Sequence, residues 1–180
     1  IDTPFTLTAG GQTLNLNYSG PNHEPGNIEI WHPDSQTLML VDVIFPGWMM
    51  WRRMAIAHDI PGVFDLVGAI NAKYDFQHLI AGHVGRAGTK ADVDQQLAFM
   101  TDLHAAALAA LGATKIAEGM RPADTTNPWA VFDNFIDRVT VDCVAALAPK
   151  WRDVLSGFDV FIYDQCMAME QSIRVDGPSL

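Results

Sequence analysis

The sequence predicts a mixed α/β fold up to about residue 112 and helices alone after it. Up to that point, short apolar segments bounded by Gly, Pro, Asn and Asp alternate with helical patterns, whereas only helical apolar stripes follow. A length of 180 residues and a hydrophobic content of 49% are enough to fill a core. We therefore expect residues 1–112 to form one unit and residues 113–180 to form a helical extension.

Strands are predicted in the first half of the chain. Apolar and polar residues alternate over residues 13–19, which is typical of a half-buried strand. Residues 28–31 and 37–45 flank the turn HPDSQ and predict an antiparallel hairpin, whose nearly continuous apolar second arm indicates burial on both faces. Residues 76–81 predict one more short strand.

The predicted helices follow from apolar residues at helical spacing. Thr89 and Asp92 have the spacing of a capping box, so we expect a helix from there to about Leu111, ended by Gly112. The other predicted helices cover residues 62–74, 129–147 and 158–173.

The two cysteines, Cys143 and Cys166, fall on the apolar stripes of the last two predicted helices. Because a free cysteine behaves as a small hydrophobic residue, we expect two buried thiols, with a disulfide as the alternative. The redox compartment stays open.

Charge and hydropathy exclude two classes of partner. The net charge is -10, and only 11 lysines and arginines are scattered along the chain, which argues against nucleic acid. No apolar run approaches the roughly 20 residues that cross a bilayer. We expect a soluble protein without a membrane partner, in either the cytoplasm or the periplasm.

Three side chains of metal-ligand type lie at or near the ends of predicted strands: His23, Asp42 and His83. Imidazole nitrogen and carboxylate oxygen are ligands that zinc accepts in open catalytic sites, and loops at strand ends carry functional residues. Each residue also has a structural interpretation, as a hydrogen-bonded surface histidine or a turn-forming aspartate.

The glycines at 82, 85 and 88 do not form a phosphate-binding loop. Five residues separate Gly82 from Gly88, whereas a Walker loop has four, and the threonine and lysine that follow are in reverse order. We expect these glycines instead to allow backbone angles that bring His83 inward.

Together these motifs carry a resemblance. A Gly/Pro turn holding His23, an apolar hairpin closing on Asp42 before Phe-Pro-Gly, and Gly-His-x-Gly around His83 resemble the second half of a metallo-β-lactamase-fold hydrolase over residues 13–111. The resemblance implies half of an αββα sandwich followed by the helical extension. It also implies that Asp42 bridges two metals, and that His23 and His83 each supply an imidazole to one of them.

The chain departs from this family in two respects. Asn22 and Glu24 replace the usual glycine and small hydroxyl residue beside His23, and the upstream motif His-x-His-x-Asp-His is absent. The resemblance therefore implies the C-terminal portion of a metal-dependent hydrolase, with one or two zinc ions, or manganese or iron. Hydroxide formed at the metal would attack an ester, thioester, lactone or amide, and we expect the isolated chain to be weakly active or inactive.

The resemblance also points to substrate-binding residues in segment 46–62, which often lines the substrate mouth in this family. Trp48, Trp51, Arg52 and His58 are therefore candidates to contact a small-molecule substrate. Ordinary helix packing also explains the two tryptophans and Arg52, and a solvated loop explains His58.

The alternative function is a non-catalytic binding or assembly domain on the same scaffold. The helical tail over residues 119–175 has more apolar surface than a lone surface helix needs. It must pack on its own α/β part or in a homo-oligomer, and an exposed half-sandwich face would also favour self-association.

Overall fold

A computed structural model of the protein describes residues 4–119 and 126–179. Within these residues, five strands form one sheet in the order β1-β2-β3-β4-β5. The strands are β1 (Phe5–Ala9), β2 (Gln12–Asn17), β3 (Glu29–His32), β4 (Thr37–Met39) and β5 (His78–Ile80). Neighbouring strands are antiparallel except β4 and β5, which are parallel.

The helices of the described residues lie mainly in the second half of the chain. They are α1 (Arg52–Ile56), α2 (Ile60–Lys73), α3 (Lys90–Ala113), α4 (Pro128–Trp151) and α5 (Phe158–Asp176), with a 3-10 turn at Ile116–Gly119. The predicted α/β fold with a helical second part is therefore confirmed.

The start of α3 is the predicted capping box, but its end is not at Gly112. The Thr89 hydroxyl accepts a hydrogen bond from the backbone N–H of Asp92, and the Asp92 carboxylate accepts one from the backbone N–H of Thr89. The helix continues through Gly112 to Ala113. One glycine costs a helix about 1 kcal/mol relative to alanine, which a helix of this length tolerates.

Two strand predictions differ from the structure. The second hairpin arm, predicted over residues 37–45, ends at Met39, because the backbone turns at Asp42 with φ of 65°. After Met39 the backbone N–H groups of Leu40 and Asp42 still donate to the carbonyls of Ile80 and Ala81, and the apolar residues Leu40, Val43, Ile44 and Phe45 are buried. Strand β1 was not predicted; it is a short edge strand whose residues are all exposed.

The described residues share one hydrophobic core, to which both parts of the chain contribute. It extends from Leu38 in β4 to Ile173 in α5 and includes buried residues of α2, α3 and α4. The apolar faces of α4 and α5 are thus buried within the chain. The boundary predicted at residue 112 falls inside α3, and a separate helical unit stays a prediction.

The prediction of two free thiols is wrong, because Cys143 in α4 and Cys166 in α5 form a disulfide. Their Cα atoms are 6.0 Å apart, a separation that a disulfide spans without backbone movement. The apolar stripes placed both cysteines in the core, but sequence spacing does not say which helix faces which.

None of the helices among residues 4–119 and 126–179 has the length and apolarity needed to cross a membrane.

Candidate functional site

The sheet topology brings the three candidate metal ligands to one edge. Strands β2, β4 and β5 run in the same direction, because β3 is antiparallel to both β2 and β4, and β4 is parallel to β5. The segments that follow these three strands therefore leave the sheet at the same edge. They carry His23, Asp42 and His83, respectively.

At this edge the two imidazoles contact opposite oxygens of one carboxylate. His23 Nε2 lies 3.4 Å from Asp42 Oδ2, and His83 Nε2 contacts Asp42 Oδ1. The exposed fractions of the three side chains are 16% for His23, 26% for Asp42 and 65% for His83. The carboxylate thus lies between one largely buried and one accessible imidazole.

Two buried polar atoms of this cluster have no hydrogen-bond partner. They are Asp42 Oδ1 and His23 Nδ1. His83 Nε2 is close to Asp42 Oδ1, but the contact does not have hydrogen-bond geometry. Leaving a buried acceptor or donor unpaired costs about 1–3 kcal/mol, and a cation would compensate the carboxylate oxygen.

The donor types fit a zinc, manganese or iron ion, but the donor number is incomplete. In the part of the chain that the structure describes, no three His, Cys, Asp or Glu side chains form a group that could hold one ion. The reason is that each imidazole faces a different oxygen of Asp42, so the cluster consists of two donor pairs. Zinc is almost always four-coordinate in structural sites and has three protein ligands in catalytic ones, so each pair needs further ligands.

A buried asparagine holds the turn that carries His23. Asn22 Oδ1 accepts hydrogen bonds from the backbone N–H of His23 at 2.7 Å and from Asn27 Nδ2 at 3.1 Å, while Asn22 Nδ2 donates to the carbonyl of Gly20. Asn27 Nδ2 also donates to the carbonyl of Val41, the residue before Asp42. Asn22 therefore holds the turn that carries His23, and Asn27 ties this turn to the segment that carries Asp42.

Glycine is required next to His83. Gly82 has φ of 100°, and a Cβ there would lie 2.7 Å from Val41 Cγ1. A Cβ at Gly88 would lie 2.8 Å from Pro46 Cγ, whereas Gly85 has open space around it. The expected conformational role therefore holds for Gly82, and Gly88 permits a close approach instead.

An ion pair anchors the other end of the loop that carries His83. Arg86 donates to both oxygens of Asp92 in the first turn of α3, at 2.5 and 3.0 Å. The hydrogen bonds from Arg86 hold the pKa of the Asp92 carboxyl below its ordinary value. The ring of His83 stacks on Phe45, with ring centroids 6.4 Å apart.

A cavity of about 640 Å³ opens beside the three ligand-type residues. Apart from those residues, its wall is apolar. The apolar lining residues are Phe45, Trp48, Met49, Trp51, Ala55, Ile56, Val84 and Phe161. The volume is within the range of small-molecule binding sites.

One wall of this cavity has an unusual backbone. Residues 53–56, which make up most of α1, have φ between 54° and 60°, so this turn is left-handed although none of its residues is glycine. The left-handed helical conformation costs about 1–2 kcal/mol per residue. Strain of this kind persists only where surrounding contacts hold it, and it is concentrated at functional sites.

Buried Gln165 supplies such contacts. Gln165 in α5 accepts a hydrogen bond from the backbone N–H of Met54 at 2.7 Å and donates to the carbonyls of Met50 and Trp51. A second buried glutamine, Gln96 in α3, accepts a hydrogen bond from the backbone N–H of Phe45, a lining residue, and donates to the carbonyl of Val43.

Sequence reasoning missed both glutamines. Polar residues on the apolar helical stripes were the available signal, because a polar side chain on a buried face needs partners there.

The four candidate substrate-binding residues fall in three places. Trp48 and Trp51 line the cavity, and the Trp51 ring packs against Phe161 with centroids 5.2 Å apart. Arg52 lies outside it, with Nη1 3.3 Å from Asp164 Oδ2. His58 lines a separate cavity of about 310 Å³, while its backbone N–H donates to the carbonyl of His23.

No protein-family profile matches the chain, and no curated protein matches it. Among solved structures, the chain is similar to a metallo-beta-lactamase family protein from Thermus thermophilus. The TM-score is 0.58 and the identity 13%, over 96% of this chain and 47% of that protein.

Two further solved structures are similar to the chain. The stereoselective inverting sec-alkylsulfatase Pisa1 from Pseudomonas sp. has a TM-score of 0.52 and 15% identity, over 97% of this chain and 26% of that protein. A metallo-beta-lactamase from Pontibacter korlensis has a TM-score of 0.46 and 18% identity, over 54% of this chain and 46% of that protein. The chain spans about half or less of the length of these structures.

Proposed function

Because the fold of this chain matches part of metallo-β-lactamase-fold proteins, we propose that it supplies part of the site of a metal-dependent hydrolase. His23, Asp42 and His83 are the ligands in this proposal. The observation that carries it is the contact of two imidazoles with opposite oxygens of one carboxylate at the edge of an apolar cavity.

Each residue has a role that follows from its position. Asp42 brings negative charge between the two imidazoles, and His23 and His83 each bring one nitrogen donor. A divalent cation held there, zinc or else manganese or iron, would act as a Lewis acid and would lower the pKa of a bound water. Trp48 and Trp51 contact the substrate and exclude water from the side of the cavity on which they lie.

The proposed substrates are small molecules with an ester, thioester, lactone or amide bond. Since each imidazole–carboxylate pair is incomplete, the chain by itself is expected to bind metal weakly and to hydrolyse little. Arg52 and His58 lie outside the cavity, so in this proposal any contact with substrate requires a substrate that extends beyond it.

Metal titration of the chelator-treated chain tests the ligand set. We expect cobalt(II) to bind weakly, with an absorption spectrum that reports nitrogen and oxygen ligands. Asp42→Asn and His83→Asn should each weaken binding at least tenfold, whereas His78→Asn, an exposed histidine on β5, should have no effect. Unchanged cobalt affinity in Asp42→Asn would contradict the ligand assignment, and tight stoichiometric zinc binding would contradict the expected incompleteness.

Hydrolysis is assayed in parallel with p-nitrophenyl acetate, a thioester, a lactone and an alkyl sulfate. The last substrate is included because one structural relative is a sec-alkylsulfatase. Metal-dependent turnover that disappears in Asp42→Asn supports the proposal. Metal binding without turnover of any substrate, together with self-association in sedimentation, favours the alternative of a binding or assembly domain.

A further inference from the structure

The cavity beside Asp42 is chemically two-sided. One end presents the two imidazoles and the carboxylate, and the remaining lining is entirely apolar. Among the described lining residues there is no lysine or arginine. A negatively charged group of a ligand would therefore meet the Asp42 carboxylate without a cationic side chain to compensate its loss of water.

The shape of the apolar end depends on a helix distant in sequence. Ala55 and Ile56 belong to the left-handed turn at residues 53–56, and Trp51 lies two residues before that turn. The Gln165 side chain, which is fully buried, donates to the carbonyl of Trp51 at 2.9 Å and accepts from the N–H of Met54 at 2.7 Å. It thus holds the segment from which this wall is built at Trp51 and at Met54.

We propose that this cavity binds a neutral alkyl or acyl chain and that Gln165 is the positioning residue that shapes its wall. The assignment of this alkyl or acyl group to the substrate rests on the function proposed above. Binding of the group itself does not require metal. The apolar lining recognises the chain, and the absence of a described cationic group on it selects against an anionic one.

Binding of the alkyl probes is measured by NMR titration of the protein in the presence of a chelator. The protein has five tryptophans, and the indole N–H signals of Trp48 and Trp51 are assigned with Trp48→Phe and Trp51→Phe. The probes are 1-butanol, 1-hexanol, 1-octanol and octanoate. We expect each added methylene to lower the Kd about fourfold, and octanoate to bind about tenfold more weakly than 1-octanol.

Two exposed apolar residues provide a matched pair of variants. Ile56, in the wall, is 62% exposed, and Val160, on α5 outside the cavity, is 65% exposed. Ile56→Lys should weaken 1-octanol binding at least tenfold, whereas Val160→Lys should change it less than twofold. Neither substitution alters the core, so loss of folding does not confuse the result.

The role of Gln165 is tested against a variant that loses a buried hydrogen bond elsewhere in the core. Gln165→Met removes its hydrogen bonds, and Thr140→Val removes the buried bond from Thr140 to the carbonyl of Ile136 in α4. Both should lower the Tm, but only Gln165→Met should reduce the gain per methylene to less than twofold. Gln165→Asn replaces Gln165→Met if the latter does not fold.

Three results would overturn the inference. Affinity that does not depend on chain length, or octanoate bound as tightly as 1-octanol, would exclude the neutral chain. A full gain per methylene in Gln165→Met would reduce Gln165 to a structural role. Indole shifts that follow protein concentration instead of alcohol concentration would assign the wall to a second copy of the protein.

Binding of the alcohols with no cobalt binding would refute only the proposed function.

Discussion

Removing the disulfide between α4 and α5 should destabilise the protein by an amount that the structure allows us to estimate. Cys143 and Cys166 are 23 residues apart in sequence, and the loop that they close costs the unfolded chain about 3.4 kcal/mol of conformational freedom at 25 °C. Both residues are fully buried, so replacing them with alanine also removes two sulfur atoms from the core. Each removal should cost a further 1 kcal/mol or so.

Urea unfolding of three forms separates these contributions. Oxidised and reduced wild-type protein differ only in the cross-link, so their free energies of unfolding should differ by about 3 kcal/mol. The Cys143→Ala/Cys166→Ala variant should be less stable again by about 1–2 kcal/mol. The m-value should rise when the cross-link is lost, because the open unfolded chain exposes more surface.

Two results would refute this reasoning. Thiol titration of the unreduced protein in denaturant should detect no free thiol, and two thiols would show that the bond does not form. Oxidised and reduced curves that coincide within about 0.5 kcal/mol would show that the cross-link does not limit the unfolded chain as calculated.

Three further predictions concern the strained turn and two titrating groups. Arg53→Gly should raise the free energy of unfolding by about 0.5–1 kcal/mol in urea titrations, because Arg53 is exposed at φ of 54°, while Arg52→Gly, at a residue with negative φ, should lower it. Hydrogen bonds from Arg86 lower the pKa of the Asp92 carboxyl, so the stability they contribute is present above its ordinary pKa and is lost as the pH falls through the pKa of the folded state. Asp92→Asn should therefore flatten the fall of the urea midpoint below about pH 4. An unchanged fall in this variant would contradict the prediction. Burial lowers the pKa of His104, so the unfolded chain takes up the proton first and the free energy of unfolding should fall as the pH drops below about 6.5. His104→Leu should remove this pH dependence. A dependence that persists in the variant would assign it to other groups.

The ligand-type residues could be predicted from the sequence because their signals are local. His23 lies in a Gly/Pro turn, Asp42 follows an apolar hairpin arm, and His83 follows a strand within a glycine-rich loop. Strand direction then decides which loops share an edge, and the hairpin between β3 and β4 determines the direction of β4 relative to β2. Strand direction alone therefore favours the three side chains lying at the same edge of the sheet.

The long-range contacts around the cavity could not be predicted in this way. Gln165 is more than a hundred residues from the backbone groups that it holds, so no local pattern connects them. The same applies to Arg52, which pairs with Asp164 outside the cavity instead of lining it. A left-handed turn of four non-glycine residues also has no sequence signal, because local preference opposes it and only tertiary contacts can maintain it.

The sequence by itself determined the order of strands β2–β5 and helices α2–α5, the capping box of α3, the buried faces of these helices and the residue types at the sheet edge, but it did not indicate β1 or α1. These depend on periodicity, turn residues and side-chain chemistry, which act over a few positions. Only the tertiary structure decided that Cys143 pairs with Cys166, that Asp42 contacts both imidazoles, and that Gln165 holds the wall of the cavity. Such contacts join segments distant in sequence, and the packing of the whole core selects them.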